Sequence, residues 1–465
     1  MKEKFFYSTF TLRKVLEGIT NFHTEGFVNF ITNSSEECEP NSLFVPLRAN
    51  RDGHQFIPEA LERGASLFLC EKNHPILDKL STSHRQKAIF VNNTLAALGK
   101  LAEFHRNRFN PFVIGITGSS GKTTTKEFFK NALSYLGDEK LVASEKNYNN
   151  EIGVPFTLFK INEKTKVVVC EMGMNHRFEI SRLTQIVKPD LSFITSIGPA
   201  HIENLGSIQN IARAKIEIIE SMKNGFLFVP EDIEQKEIIE KKIRKSNVEL
   251  ITYSLSASSY VQIIAEKPTG FLLKILGEEI SWELPGKKLL WNLCGVVHAL
   301  VFSGFSKQGI IEGISKFQPE NKRNVWIYKY FKILDDTYNA NPDSMKSSLE
   351  ALLQAGKENK TYAILGDMKE LGEFSKHYHI EVGKYAKSLG LSGLFTFGTE
   401  AIWIWDGFLE NSDLKPLHFT DDEVGINNLI TILKNQVEKE SYILVKGSRS
   451  MRMERIVERI VKEFS

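Results

Sequence analysis

The chain has 465 residues, 42% hydrophobic and 25% charged, with 59 basic and 57 acidic side chains and a formal net charge of +2. That length suits two to four globular domains, each large enough to bury its own core. The balanced charge argues against a dedicated nucleic-acid or membrane-surface binder, and no run of the sequence approaches the ~18 apolar residues of a membrane span.

The opening run, MKEKFFYSTFTLRKVLEG, is interrupted by Arg13 and Lys14 and has no apolar core of signal-peptide length. The four cysteines, Cys38, Cys70, Cys170 and Cys294, lie far apart without metal-ligand spacing. They read as reduced core thiols of a cytoplasmic protein. SLFVP and ASLFLCE read as strands with a helix, HQFIPEALERG, between them. The polar run FHRNRFNP, ending at Pro111, reads as a linker.

Beyond it the pattern becomes regular. FVIGITG is a short apolar run ending in glycine, and KTTTKEFFKNALSYLG follows with helical period and a glycine stop. KVVVCEMG, DLSFITSIG and GFLFVP repeat the buried-strand signal with helical segments between them, the pattern of right-handed crossovers in a parallel sheet. EDIEQKEIIEKKIRKS mixes charges at helical spacing and reads as a solvated helix face. From about Val248 to Leu284 the pattern changes to alternation, which predicts antiparallel strands at one sheet edge. After FQPENKR the strand–helix rhythm restarts with YFKILDD, TYAILGD, SGLFTFG and SYILVKG. The expected fold class is α/β with three domains: a small α/β N-terminal domain (1–108), a central P-loop mononucleotide-binding parallel sheet with an antiparallel edge (109–318), and a C-terminal Rossmann-like domain (319–465).

The stretch GITGSSGKTTTKE departs from the common phosphate-loop pattern G-x-x-x-x-G-K-[ST], because Ile116 stands where the outer glycine belongs. A phosphate loop needs inward-facing backbone N–H groups, a helix N-terminus behind them, a lysine for charge and a hydroxyl for a metal ion. Gly118, Gly121, Lys122 and Thr123 supply these parts, and only the outer glycine has moved, to Gly115. Ligands of open parallel sheets bind at the carboxyl ends of strands. Glu171 ends KVVVCE and His201 follows FITSIGPA, so both face the loop's crevice, where a carboxylate and an imidazole suit Mg2+. Lys215, on a helical stretch, reads by itself as solvated. DDTYNANPDS, closing a strand of the last domain, places acids and amides at a strand end, a pattern that serves equally a turn with helix capping or a ligand site.

Taken together, these segments resemble the Mur ligase family of cell-wall enzymes. TGSSGKT (Thr117 to Thr123) matches that family's form of the phosphate loop, T-G-[ST]-x-G-K-[ST]. NYNNEIGVPFTL, EMGMNHRFEI, IGPAHIENLGSIQNIARAKIEI, DDTYNANPDSM, LGDMKELGEFSKHYH and VKGSRSMRMERIV extend the resemblance over the whole chain, from PLRANRDGHQFIPEALERGA onward. Among family members they are most similar to those that add D-Ala-D-Ala to UDP-MurNAc-tripeptide. The resemblance implies a UDP-sugar-binding first domain, an ATP-binding centre and a closing last domain, in a cytoplasmic monomer. It implies ATP-driven amide formation through an acyl phosphate.

It also implies roles. Thr117, Gly118, Ser119, Ser120, Gly121, Lys122, Thr123 and Thr124 hold the phosphates, with Thr123 on one Mg2+. Glu171 and His201 bind a second Mg2+, and Asn150 sits near the γ-phosphate. Lys215 matches the family's carbamylated lysine. Asn292, Arg323, Asp336 and Asn341 contact the nucleotide. Asn339, Lys446, Ser448 and Arg449 face the peptide or dipeptide. Thr32, Ser34 and Arg48 belong to the UDP site. Two motifs depart from the family pattern. GKKLLWN has Lys288 and Leu289 where the adenine-side motif has His and Asn, and TNSS (Thr32 to Ser35) lacks the arginine of T-D-S-R, a loss that Arg48 or Arg51 is placed to offset. The alternatives are a sister ligase adding one amino acid, disfavoured by the absence of a D-N-P-R motif, a folylpolyglutamate synthase-like ligase, disfavoured by the first-domain match, and a nucleotide-binding homologue without catalysis.

Overall fold

The computed structural model describes residues 6–17, 26–48, 51–145, 147–256, 258–318, 325–409 and 417–464. Nearest the N-terminus, four parallel strands lie side by side in chain order: Phe30–Thr32, Ser42–Phe44, Leu67–Glu71 and Ala88–Val91. A short antiparallel pair, Tyr7–Ser8 with Phe27–Val28, stands apart from them. The helix Thr94–Arg106 leads out of this unit.

The central sheet runs, in spatial order, Val248–Tyr253, Gly225–Pro230, Leu191–Ile194, Phe112–Thr117, Val167–Glu171 and Leu141–Ala143. All pairings in it are parallel. The physical reason is visible in VVVCE and LSFI, which are buried at every position and so need cover on both faces. The chain starts in the middle with Phe112–Thr117, builds to one side, then crosses to the other. That reversal places the carboxyl ends of Phe112–Thr117, Val167–Glu171 and Leu191–Ile194 next to one another, at a topological switch point.

The expected antiparallel edge needs correction. The edge strand Val248–Tyr253 is parallel to its neighbour. The alternating residues after it, Val261–Lys267, Gly270–Ile275 and Glu278–Trp282, form a separate three-stranded antiparallel sheet. Alternation reports that one face is wet; it does not report which sheet a strand joins.

The last sheet runs Val325–Tyr328, Lys332–Asp335, Tyr442–Lys446, Thr361–Gly366, Gly393–Phe397 and His418–Phe419, with only the first pair antiparallel. Its four expected strands are present, and two short ones extend the edges. Tyr442–Lys446, the last strand in the chain, inserts between Lys332–Asp335 and Thr361–Gly366. The loops DDTYN, KGSR and GDMKE therefore open side by side.

The stretch read as a polar linker is a packed joint. His105 and Arg106 are buried. The His105 Nε2–H donates to the Ile161 carbonyl at 2.8 Å, and its Nδ1 accepts from the Tyr7 hydroxyl. Burial holds the ring neutral by pulling its pKa down to about 4. Arg106 donates to the carbonyls of Val187 (3.1 Å) and Phe109 (3.0 Å). Polar residues here satisfy buried carbonyls where two units meet, and composition alone does not distinguish that from solvation.

Behind the phosphate-loop helix Lys122–Ala132 packs the helix Lys307–Ser315, and two glycines one turn apart face the contact. A Cβ on Gly313 would lie 1.9 Å from the Asn131 carbonyl oxygen, and one on Gly309 would lie 2.3 Å from the Tyr135 ring. Backbone cannot yield as a half-exposed ring can. Gly313→Ala is therefore expected to destabilise by about 1–3 kcal/mol, and more than Gly309→Ala. Equal melting temperatures for the two variants in calorimetry would contradict this packing account.

Candidate active site

The phosphate loop turns on two glycines. Gly118 has φ 155°, and a Cβ there would lie 1.9 Å from Thr195 Oγ1. Gly121 is left-handed at φ 83° and caps the helix Lys122–Ala132; a Cβ there would lie 2.6 Å from the Asn292 amide nitrogen. The segment after Leu191–Ile194 clamps the loop. Ser119 N donates to the Ser196 carbonyl (3.0 Å), Ser120 N to Ser196 Oγ (2.9 Å), and Thr195 Oγ1 to the Ser120 carbonyl (2.5 Å). Ser119 Oγ exchanges hydrogen bonds with the backbone of Gly198 at 2.9 Å. With Ser119 and Ser120 held in this way, the start of the helix and the positive end of its dipole face the cleft. Lys122 curls over the loop, donating to the Gly118 carbonyl at 2.6 Å.

Glu171 sits beside it, 1% exposed. One carboxylate oxygen accepts from Thr123 Oγ1 (2.9 Å) and the other from Asn149 Nδ2 (2.8 Å). Among the described residues no lysine or arginine pairs with this buried carboxylate. A buried anion without a cation is costly, so the geometry is that of a site awaiting positive charge. His201 lies on the same rim, on left-handed backbone at φ 61°. Its Nδ1 lies 2.5 Å from Glu370 Oε2 of the last domain.

Lys215 is not solvated. It ends the helix Ile208–Lys215, is 2% exposed and makes no hydrogen bond among the described residues. Burial, and then the charge of Lys122, push its pKa well below the ordinary lysine range.

The last domain closes the far wall of a cleft of about 740 Å³. Asp336, buried, accepts from Ser348 Oγ at 2.6 Å and pairs with Lys446 Nζ, which also donates to the Asn339 carbonyl at 3.0 Å. Asn339 Oδ1 accepts from Arg449 N at 3.3 Å. Asn341 caps the helix Pro342–Ala355 and reaches across to the Ser119 carbonyl at 3.3 Å. Asp343 fills the space over Gly198, where a Cβ would lie 1.8 Å from its Oδ2.

Of the residues expected here, Ser119 to Thr124, Glu171, His201, Asn292, Asp336, Asn339, Asn341, Lys446 and Arg449 line this one cleft. Thr117 and Gly118 lie at its base, and Lys215 lies behind it. Ser448 turns away to accept from Lys369 N at 2.8 Å. Asn150 Oδ1 accepts from Ile152 N at 3.1 Å and from Gly153 N at 2.9 Å at the start of the helix Gly153–Leu158, while Asn147 and Asn149 line the cleft. In a run such as NYNN only the local turn decides which amide points where. Arg323 lies outside the described residues. Thr32, Ser34 and Arg48 are not in this cleft. They lie at the carboxyl ends of the first sheet, where Thr32 Oγ1 donates to Glu37 at 3.0 Å and Arg48 pairs with Glu71 at 2.7 Å. Lys288 and Trp291 also line the cleft, as do Asp232 and Glu234, which sequence reasoning did not single out. No motif marks the last two; they follow Gly225–Pro230, whose end the sheet order brings to the site.

Residues 116–300 match the model of the Mur ligase middle domain, and residues 323–449 that of the Mur ligase glutamate ligase domain. The chain is 31% identical to the UDP-N-acetylmuramoyl-tripeptide–D-alanyl-D-alanine ligase of Haemophilus influenzae, covering 97% of each chain. It is 32% identical to that of Rickettsia prowazekii, covering 92% of this chain and 94% of the relative. Among solved structures it is similar to MurF from Acinetobacter baumannii, with TM-score 0.86 at 26% identity over 99% of this chain and 100% of that one. It is also similar to MurF ligase from Thermotoga maritima in complex with ADP, with TM-score 0.77 at 27% identity over 93% and 97%. A phosphate loop, an uncompensated carboxylate beside it and a closing last domain thus coincide with full-length similarity, and the chain belongs to the Mur ligase family.

Proposed function

We propose that this protein is the ATP-dependent ligase that joins D-Ala-D-Ala to UDP-MurNAc-tripeptide, giving the pentapeptide precursor of peptidoglycan with ADP and phosphate. The observation that carries this reading is the meeting, in one cleft, of the phosphate loop with the DDTYN and KGSR runs of the last domain. In this reading the first domain (1–108) holds the UDP-sugar, the centre (109–318) holds ATP, and the last domain (319–465) brings the dipeptide. One chain supplies every part, which suits a cytoplasmic monomer; no helix among the described residues is long and apolar enough to cross a membrane.

The chemistry follows from leaving groups. The tripeptide carboxylate attacks the γ-phosphorus, ADP departs, and an acyl phosphate forms. The dipeptide amine adds to the acyl carbon, loses a proton, and the tetrahedral intermediate expels phosphate. The protein's contribution is positioning and charge neutralisation. Lys122 leaves the Gly118 carbonyl for the phosphates, and the N–H groups at the helix start hold their oxygens. Thr123, Glu171 and His201 fit Mg2+: they offer a hydroxyl, an unpaired buried carboxylate and an imidazole on one rim. Bound there, Mg2+ neutralises phosphate charge. Asp336 fixes Lys446 by its ion pair, and Asn341 ties the last domain to the loop. Asn339 and Arg449 face the incoming peptide or dipeptide. Arg48, held by Glu71, offers the cation that TNSS lacks for the UDP diphosphate.

Lys215 suits carbamylation. A lysine kept neutral is nucleophilic: its nitrogen adds to CO2, a proton leaves, and an anionic carbamate results. That anion is attracted to the charge of Lys122, which disfavours only an ammonium there. With 13C-bicarbonate, the protein is expected to show a bound carbamate carbon signal that Lys215→Met lacks, with turnover of that variant lowered by about 100-fold or more. A wild-type protein without the signal overturns this assignment.

ADP release in the presence of Mg2+ and ATP should require both UDP-MurNAc-tripeptide and D-Ala-D-Ala. Release with a free amino acid in place of the dipeptide would establish a sister ligase instead. Lys122→Ala should keep its circular-dichroism spectrum and lose about 100- to 1,000-fold in turnover; near-normal ligation removes the phosphate loop from the mechanism.

A further inference from the structure

We infer that Glu370 is a positioning residue for the metal site, supplied to His201 by the last domain only when that domain is docked on the centre. This rests on the reading of His201 as a metal ligand. The Nδ1 of His201 lies 2.5 Å from Glu370 Oε2 in an ion-pair contact whose alignment falls short of a straight hydrogen bond, and Nε2 is the nitrogen left for a cation. A ligating histidine whose other nitrogen is held by a carboxylate has a fixed tautomer and ring orientation and is a stronger donor. Here the two members of that arrangement come from different domains.

Several observations show a built contact. His201 and Glu370 both hold left-handed backbone, at φ 61° and 66°, an uncommon state for side chains of their size and one that clusters at functional sites. The Glu203 N–H donates to the Glu370 carbonyl at 3.2 Å, so backbone as well as side chain crosses the boundary. Gly372, at φ 52°, lets the loop pass Glu203, where a Cβ would lie 3.0 Å from Glu203 Cγ. Met368 and Leu371 are buried in one apolar cluster with Ile202 and Leu205, which flank His201.

The loop carrying Glu370 is rigid within its own domain. Asp367 accepts from the backbone N–H groups of Thr399 (3.1 Å), Glu400 (2.9 Å) and Ala401 (2.7 Å). Met368 N donates to His379 Nε2 at 3.0 Å, and Lys369 N to Ser448 Oγ at 2.8 Å. Three consecutive residues are thus pinned just before Glu370, the last of them to the KGSR run. Glu370 moves with the last domain, and its arrival at His201 signals docking. By linkage, cation binding at His201 and docking of the domain favour each other.

The test is Mn2+ affinity, measured by electron paramagnetic resonance on the full chain with a non-hydrolysable ATP analogue. Glu370→Gln keeps length and loses charge; Glu370→Asn tolerates left-handed backbone and cannot reach His201. Both are expected to bind Mn2+ more weakly, by about 10- to 100-fold for Glu370→Asn, and to need correspondingly more Mg2+ for half-maximal turnover, with recovery at high Mg2+. In a His201→Ala background Glu370→Gln should have no further effect on Mn2+. Unchanged affinity in both Glu370 variants overturns the inference, and tighter binding overturns it too, because Glu370 would then compete with the cation. If His201→Ala binds Mn2+ as the wild type does, it is the reading of His201 as a ligand that fails, and the inference with it.

Discussion

A phosphate loop works only if it is held open, with the start of its helix and the positive end of the helix dipole facing the cleft. Everything else in this site depends on how that is arranged. The segment Thr195–Gly198 takes up the polar groups of Ser119 and Ser120, which would otherwise close the loop on itself. The helix Lys122–Ala132 is thereby left with its N-terminus and the positive end of its dipole aimed into the cleft. The same segment is the docking floor for the last domain, since Asp343 packs over Gly198 and Asn341 reaches Ser119. Nucleotide grip and domain docking are therefore registered on one short piece of chain.

The charges around this loop are arranged against local stability. Among the described residues, Glu171 is buried without a pairing lysine or arginine, and Lys215 without a hydrogen-bonding partner. Burial disfavours the charged form of Lys215. Asp336 and Lys446 solve the same problem by pairing, at the cost of holding both side chains in one geometry. In the proposed reaction, prearranged groups that face a polyphosphate, a divalent cation and a peptide carboxylate are an advantage, because they need no reorganisation.

The sheets are joined by polar contacts placed where backbone carbonyls would otherwise be stranded. Arg106 and His105 do this between the first unit and the centre. Gln354 does it between the last domain and the antiparallel sheet, donating to the carbonyls of Lys267 and Gly270 and accepting from Gly286 N. Contacts of this kind are directional and few, so they fix orientation while remaining breakable. The His201–Glu370 contact belongs to the same class and adds a readable consequence at the reaction centre.

The amino-acid pattern by itself determined the parallel central sheet, the phosphate loop between Phe112–Thr117 and Lys122–Ala132, and Glu171 and His201 at strand ends. Those features are local: apolar runs of strand length, a glycine-bounded turn, a helix with its lysine and hydroxyl. The displaced outer glycine did not obscure them, because Gly118 and Gly121 carry the two special conformations the loop needs. Only tertiary structure decided the rest. The alternating strands after Val248–Tyr253 left the main sheet, because pairing partners are not encoded in alternation. Asn149 reaches Glu171 while Asn150 turns to backbone N–H groups two and three residues on, because side-chain direction in a turn depends on local backbone. Lys215 became buried, with its pKa pushed down, because helical spacing shows a face and not what covers it. Glu370 was invisible as a site residue, because its partner lies 169 positions away by the numbering and on another domain. Sequence reports the chemistry a segment carries; burial and the meeting of distant loops exist only once the sheets have stacked.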